Sequence, residues 1–243
     1  MNDEDVAAWL AEEAGRLLLE LREASAPGDS GIGATGDKAA NAFILESLRR
    51  WRPDDPILSE ESLDEPARLA SERVWIIDPL DGTREYSEGR DDWAVHVALA
   101  VGGVAKVGAV ALPAKGKLYR SDRGEYPSGS RQKPLIVVSR TRPPAEVKAI
   151  AARLGAEMVA MGSAGAKAMA VVRGHADVYA HAGGMYEWDS CAPVAVAMAA
   201  GLHTSRIDGS PMRYNRLDPW LPDLLICRPE LADTCLDVIA QAW

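Results

Sequence analysis

Cysteine is scarce in this chain of 243 residues, and the three present (Cys191, Cys227, Cys235) are odd in number. Their spacing shows no pairs and no histidine cluster for zinc, which excludes a disulfide framework. They read as reduced thiols in an apolar core. Net positive charge is lacking as well. A formal charge of −9 argues against a nucleic-acid polymer or a membrane surface as partner, since such binders are normally basic. It leaves room for a small phosphorylated ligand, because bound cations invert the local sign of a site. No apolar run approaches the roughly 20 residues that a membrane-spanning helix needs. The opening Met1-Asn2-Asp3-Glu4-Asp5 is acidic and has no basic leader segment. The expected location is the cytoplasm.

What is present is enough apolar material, 47% of residues, to bury a sizeable core. Val6, Leu10, Ala14, Leu17, Leu18 and Leu21 recur at helical spacing and predict an opening amphipathic helix. Ala24 to Gly36 reads as a loop rich in Ser, Gly and Pro. A second helix is expected from Asp37 to Arg50, burying Ala40, Phe43, Ile44 and Leu48. Ile57-Leu58 is a short strand ending in Ser59-Glu60-Glu61. The run Val74-Trp75-Ile76-Ile77 is a buried strand. Residues 93–100 and 104–112 form an antiparallel hairpin turned at Gly102-Gly103, with 117–120 as a third strand. Residues 121–134 mark a boundary between two subdomains, 1–134 and 135–243. Beyond it come strands at 135–138, 158–160, 177–180 and 224–227. They alternate with helices at 144–154, 162–173 and 193–200 and a last helix from Pro229. The class is α/β (α+β), with layered sheets and helices.

The most informative stretch is Asp78-Pro79-Leu80-Asp81-Gly82-Thr83-Arg84-Glu85. Pro79 has no N–H to give, so strand pairing is expected to end there, leaving two aspartates at the mouth of a sheet. Gly82 and Thr83 offer N–H groups at a helix start. Carboxylates for a hard cation beside N–H groups for a phosphate suit metal-assisted phosphate chemistry. Taken alone, Asp37 and Asp189 read as helix caps and Glu60-Glu61 as a solvated loop. Together with Asp78 and Asp81 they sit at element boundaries where segments converge, and such a carboxylate cluster requires cations. No Ser or Cys nucleophile motif is present, which fits direct attack by water.

WIIDPLDGT, the upstream SEE and the downstream EWDS resemble the lithium-sensitive, magnesium-dependent phosphatases typified by inositol monophosphatase, in order and over nearly the whole chain. Arg84-Glu85-Tyr86 after DGT looks like the CysQ-type branch, the 3′-phosphoadenosine 5′-phosphate (PAP) phosphatases. RDDWAVHVAL and GSAGAKAMAV look most like its actinobacterial members. The resemblance implies a layered α-β-α-β-α sandwich, a homodimer, and two or three Mg2+ ions. It implies Glu60, Asp78, Asp81, the Leu80 carbonyl and Asp189 as metal ligands, with Asp37 and Thr83 activating the attacking water. It further implies Gly82 and Thr83 as phosphate contacts, and Ser163 and Lys167 as nucleotide contacts. Arg142 stands where the family segment S-R-S-H has its His. The implied activity is release of the 3′-phosphate from PAP, extending to the sulfated nucleotide PAPS, in sulfate assimilation. The rival readings are a broad inositol monophosphatase or fructose-1,6-bisphosphatase, and a non-catalytic phosphometabolite sensor. His96, in an alternating strand, reads as structural, whereas His181 and the segment to Glu187 are left without a role.

Overall fold

The computed structural model describes residues 1–26, 29–124, 132–140 and 145–242. Helix α1 (Asp3–Ala24) is capped by the Asn2 side chain, which accepts from Asp5 N at 2.7 Å and orders an acidic first turn at the helix's positive end. Val6, Leu10, Ala14 and Leu18 are buried, as their spacing predicts. With α2 (Ile32–Trp51) this helix covers one face of a first sheet. That sheet runs in the order β1 (Ile57–Ser59), β2 (Arg73–Asp81), β3 (Ala94–Val101), β4 (Val104–Leu112), β5 (Lys117–Arg120). Only the β1–β2 pair is parallel. Gly102 and Gly103 turn the β3–β4 hairpin with φ of 57° and 74°, which residues with a Cβ rarely adopt.

The second sheet comes from the rest of the chain: β6 (Leu135–Ser139), β7 (Glu157–Met161), β8 (Val178–Tyr186), β9 (His203–Ser205) and β10 (Trp220–Cys227), in the order β7-β6-β8-β10-β9. Helices α4 (Ala145–Leu154) and α7 (Ala232–Ala242) cover its outer face. Between the sheets lie α5 (Ala164–Val172) and α6 (Glu187–Ala199), whose small side chains share one core with both. A Cβ on Gly108 of β4 would stand 2.6 Å from the Ala192 carbonyl, which shows how closely α6 approaches the first sheet. The layers are therefore α-β-α-β-α, as expected.

Three local readings are corrected. Helix α2 begins at Ile32, not Asp37. Gly33 and Gly36 suggest a loop, and each costs about 1 kcal/mol inside a helix. Here they let α2 pack: a Cβ at Gly33 would lie 2.5 Å from Ser87 Oγ, and one at Gly36 2.9 Å from Leu18 Cδ2. Strand β2 does not stop at Pro79. Asp78 pairs with His96 and Asp81 with Ala94, so Pro79 and Leu80 together face Val95 in a bulge, a place that tolerates proline. Helix α6 begins at Glu187 and carries Pro193 inside it, so Asp189 belongs to its first turn.

Candidate active site

The bulge decides where the carboxylates point. Residues three apart on a regular strand face opposite sides, but Asp78 and Asp81 pair with His96 and Ala94, which are two apart and share a face. Both aspartates are buried and turn toward the middle layer. There the first turn of α6 brings Asp189, and ligand oxygens of Asp78, Asp81 and Asp189 lie within 4.8 Å of one another. Glu60 follows β1 and its backbone N–H reaches the Ile77 carbonyl at 3.3 Å, which sets its side chain beside the same group. Glu187 fixes the start of α6 by accepting from Asn215 N at 2.7 Å and Arg216 N at 2.9 Å. Tyr186 N donates to Asp189 Oδ2 at 2.6 Å, so Asp189 caps its helix and still presents a carboxylate.

Asp81 is gripped from both sides. Ser163 Oγ donates at 2.5 Å, Gly165 N at 2.6 Å and Ala164 N at 3.1 Å, all from the start of α5. His96 Nε2 stands 3.2 Å away. The other ring nitrogen of His96 meets the Trp188 carbonyl at 3.1 Å, which can only accept, so Nδ1 carries a proton. Burial lowers the His96 pKa, but the Asp81 charge and hydrogen bonds more than offset it and hold it above the ordinary value. Burial likewise pushes Asp81 up, yet His96, Ser163 and Gly165 leave it well below the usual carboxylate range. His96 thus faces the Asp81 carboxylate inside the core.

The remaining acids press their charges on one another. Burial and then the charge of Asp81 raise Asp78 well above its usual value. Glu60 is exposed along its residue surface, but its carboxyl lies against the desolvated group, and that desolvation with the charges of Asp37, Asp189 and Asp81 raises it to about 7. Burial and then Asp81 raise Asp189 to about 6. Such a set of oxygen donors fits a hard divalent cation, and the cluster of Asp78, Asp81 and Asp189 can hold one.

Asp37 and Thr83 meet at the edge of this group. Thr83 Oγ1 lies 3.3 Å from Asp37 Oδ2 and 3.1 Å from the Leu80 carbonyl. Asp37 is buried and its Oδ1 has no hydrogen-bond partner. Burial, then the Glu61 charge, raise its pKa to about 7. Gly82, at φ 90°, opens the short helix α3 (Thr83–Ser87). In the Arg84-Glu85-Tyr86 segment, Tyr86 is a core anchor whose hydroxyl donates to Leu18 O at 2.7 Å. Glu85 pairs with Arg140 at 2.8 Å.

A cleft of about 440 Å³ opens from Asp81 and Asp189 toward His181, Tyr186 and Trp220. Lys167 lines it but is buried. Its Nζ donates to the carbonyls of Ser163 at 2.6 Å and Gly162 at 3.2 Å, and lies 5.3 Å from the Tyr179 ring centroid. Burial lowers its pKa, with partial relief from Asp81, Glu85 and Asp189. The Ser163 hydroxyl is engaged by Asp81 and by Ala166 N. Arg142 lies outside the described residues. Glu187 enters the sequence reading only as the first residue of EWDS, and Tyr186 and Trp220 belong to no motif; the β8–β10 pairing sets those two opposite each other in the cleft lining.

The raised acids predict a pH effect. Metal-free native protein holds protons up to about pH 6–7 at Asp37, Glu60 and Asp189. The unfolded chain releases them near pH 4. Stability is therefore greatest below about pH 4 as far as these groups decide it, and falls as pH rises to about 7. Magnesium removes the repulsion, so its gain in melting temperature should be larger at about pH 8 than at about pH 5.5. Equal gains at both would show that these acids do not bind the cation.

Comparison with known proteins places this geometry in context. The chain matches the model of the inositol monophosphatase family over residues 5–236. It is 53% identical over 242 residues to the 3′-phosphoadenosine 5′-phosphate phosphatase of Mycobacterium bovis, covering 95% of this chain and 91% of that one. It is 31% identical over 237 residues to the 3′(2′),5′-bisphosphate nucleotidase CysQ of Escherichia coli, covering 89% and 96%. Among solved structures, CysQ from Bacteroides thetaiotaomicron superposes with a TM-score of 0.83 at 26% identity, over 93% of this chain and 97% of that one. Among the described residues, no helix is long and apolar enough to cross a membrane.

Proposed function

The chain belongs to the inositol monophosphatase family, and we propose that it is a magnesium-dependent phosphomonoesterase that releases the 3′-phosphate of PAP, giving AMP and phosphate. The observation that carries this reading is the convergence of Asp78, Asp81 and Asp189, two of which line a cleft, beside the Asp37–Thr83 pair. The likeness to the Mycobacterium bovis enzyme supports PAP as substrate and a place in sulfate assimilation. PAPS is a second candidate substrate.

Asp78, Asp81, Asp189, Glu60 and the Leu80 carbonyl are the groups that would hold two or three magnesium ions. Leu80 O lies 3.1 Å from Thr83 Oγ1, and with the one hydroxyl proton directed to Asp37 Oδ2 its lone pairs are free for a cation. Magnesium, when bound, supplies Lewis acidity toward the ester oxygens and lowers the pKa of water. The rest falls to side chains. Thr83 Oγ1 takes a proton from the attacking water and passes its own to Asp37 Oδ2. An acceptor with a pKa of about 7 suits that transfer at neutral pH. Gly82 and Thr83 N–H groups face the phosphate. Lys167 places positive charge where a substrate carries its second phosphate, Ser163 orients Asp81, and Arg142 is assigned to the nucleotide. The protein works in the cytoplasm as a homodimer, with the site spanning subdomains 1–134 and 135–243.

Phosphate release from PAP, inositol-1-phosphate and fructose-1,6-bisphosphate, each with magnesium and with a chelator, tests the reading. PAP should be preferred, with no turnover in chelator and inhibition by lithium. Preference for inositol-1-phosphate would make this a general inositol phosphatase. Full turnover without metal would sink the mechanism.

A further inference from the structure

Beside its carboxylates the cleft is lined by two aromatic rings. Strands β8 and β10 pair antiparallel with Trp220 directly opposite Tyr186, and directly opposed residues project to the same face of a sheet. Both side chains line the cleft, and both leave much of their surface uncovered, 45% for Tyr186 and 43% for Trp220. The Tyr186 ring is braced from behind by Trp188, stacked at a centroid distance of 4.7 Å and 8° between planes. The Trp220 indole lies against Gly184, where a Cβ would stand 2.6 Å from Nε1. Gly183 and Gly184 have φ of 108° and 94°, and the lack of a side chain at Gly184 is what lets the indole lie there. The cleft lining thus combines the carboxylates Asp81 and Asp189 and the Lys167 ammonium with an uncharged, half-exposed aromatic pair.

A ligand with a phosphorylated part and a neutral planar part matches that lining. We propose that Tyr186 and Trp220 form a stacking wall for the base of the substrate, which makes them the residues that select a nucleotide over a sugar or inositol phosphate. The proposal rests on the nucleotide reading above. Stacking tolerates any heteroaromatic ring, because every base has a π-face, so the wall selects for a base without distinguishing adenine from other purines.

The test compares kcat/KM for PAP with that for the same bisphosphate lacking a base, 1-deoxyribose 3,5-bisphosphate. In the wild type the ratio should favour PAP strongly. Trp220→Leu keeps apolar bulk and loses the π-face, and should lower that ratio about 5- to 150-fold. Trp220→Phe keeps a planar ring and should retain most of it. Tyr186→Leu should act in the direction of Trp220→Leu. AMP should quench tryptophan emission in the wild type, and that component should vanish in Trp220→Phe. A wild-type ratio near one would overturn the nucleotide reading itself. A high wild-type ratio left unmoved by Trp220→Leu and Tyr186→Leu would overturn the wall alone. Equal losses in Trp220→Leu and Trp220→Phe would overturn it too, since they would mark the indole as packing rather than a stacking surface.

Discussion

Asp78→Asn should abolish turnover while making the metal-free protein harder to melt. The substitution keeps the oxygen that accepts from Leu80 N at 3.0 Å, so the bulge has no reason to change. It removes an acid whose ionised form is disfavoured in the folded protein by burial and then by Asp81, Glu60, Asp189 and Asp37. Relieved repulsion raises stability, at about 2–4 °C of melting temperature per kcal/mol for a chain of this size. Loss of a ligand should cost more than the roughly 10–100-fold that changes beside a ligand cost, and magnesium should no longer raise the melting temperature. A site that gains stability as it loses activity is one held under electrostatic strain for function. If Asp78→Asn kept both turnover and the magnesium response, the cation would have to sit elsewhere.

Gly165→Ala should damage the same site from the other side. A Cβ there would stand 2.1 Å from His96 Nε2 and 3.0 Å from Ala94 Cβ. His96 cannot retreat, being fully buried and tied to the Trp188 carbonyl. Helix α5 must move instead, and with it the Ser163 hydroxyl and Gly165 N–H that hold Asp81. Overpacking of this kind costs about 1–3 kcal/mol, and misplacing a ligand through its supporting groups about 10–100-fold in metal affinity. Calorimetry and Mn2+ binding followed by electron paramagnetic resonance would measure the two separately. A variant that melts and binds metal like the wild type would show that the close approach of α5 has no bearing on Asp81.

Much of the site is legible in the chain because its groups are local. Asp78, Asp81, Gly82 and Thr83 sit within six residues, and each type has one strong reason to stand where it does. What the sequence obscures is set by neighbours far away in it. Gly33 and Gly36 carry the signature of a loop, and only contact with Ser87 and Leu18 turns them into helix. Pro193 looks like a helix start, yet the Glu187 contacts to Asn215 and Arg216 begin α6 six residues earlier. His96 lies inside RDDWAVHVAL, but nothing local marks a partner for it, and Asp81 becomes apparent only when β3 is laid beside β2. The same holds for Tyr186 and Trp220.

The bulge in β2 also limits how this chain can change over evolutionary time. Loops at its surface can lengthen or shorten at little cost. The interval between Asp78 and Asp81 has no such latitude, because its count is read against a fixed template, the pair His96 and Ala94 on β3. Deleting Leu80 would restore an unbroken ladder and keep both carboxylates on one face. It would also erase the carbonyl that stands beside the Thr83 hydroxyl and with it the link from the metal group to Asp37. Inserting one residue would turn Asp81 to the opposite side, away from Ser163 and Asp189. Parity at this one place keeps the proton-handling pair and the cation-binding group in a single active centre.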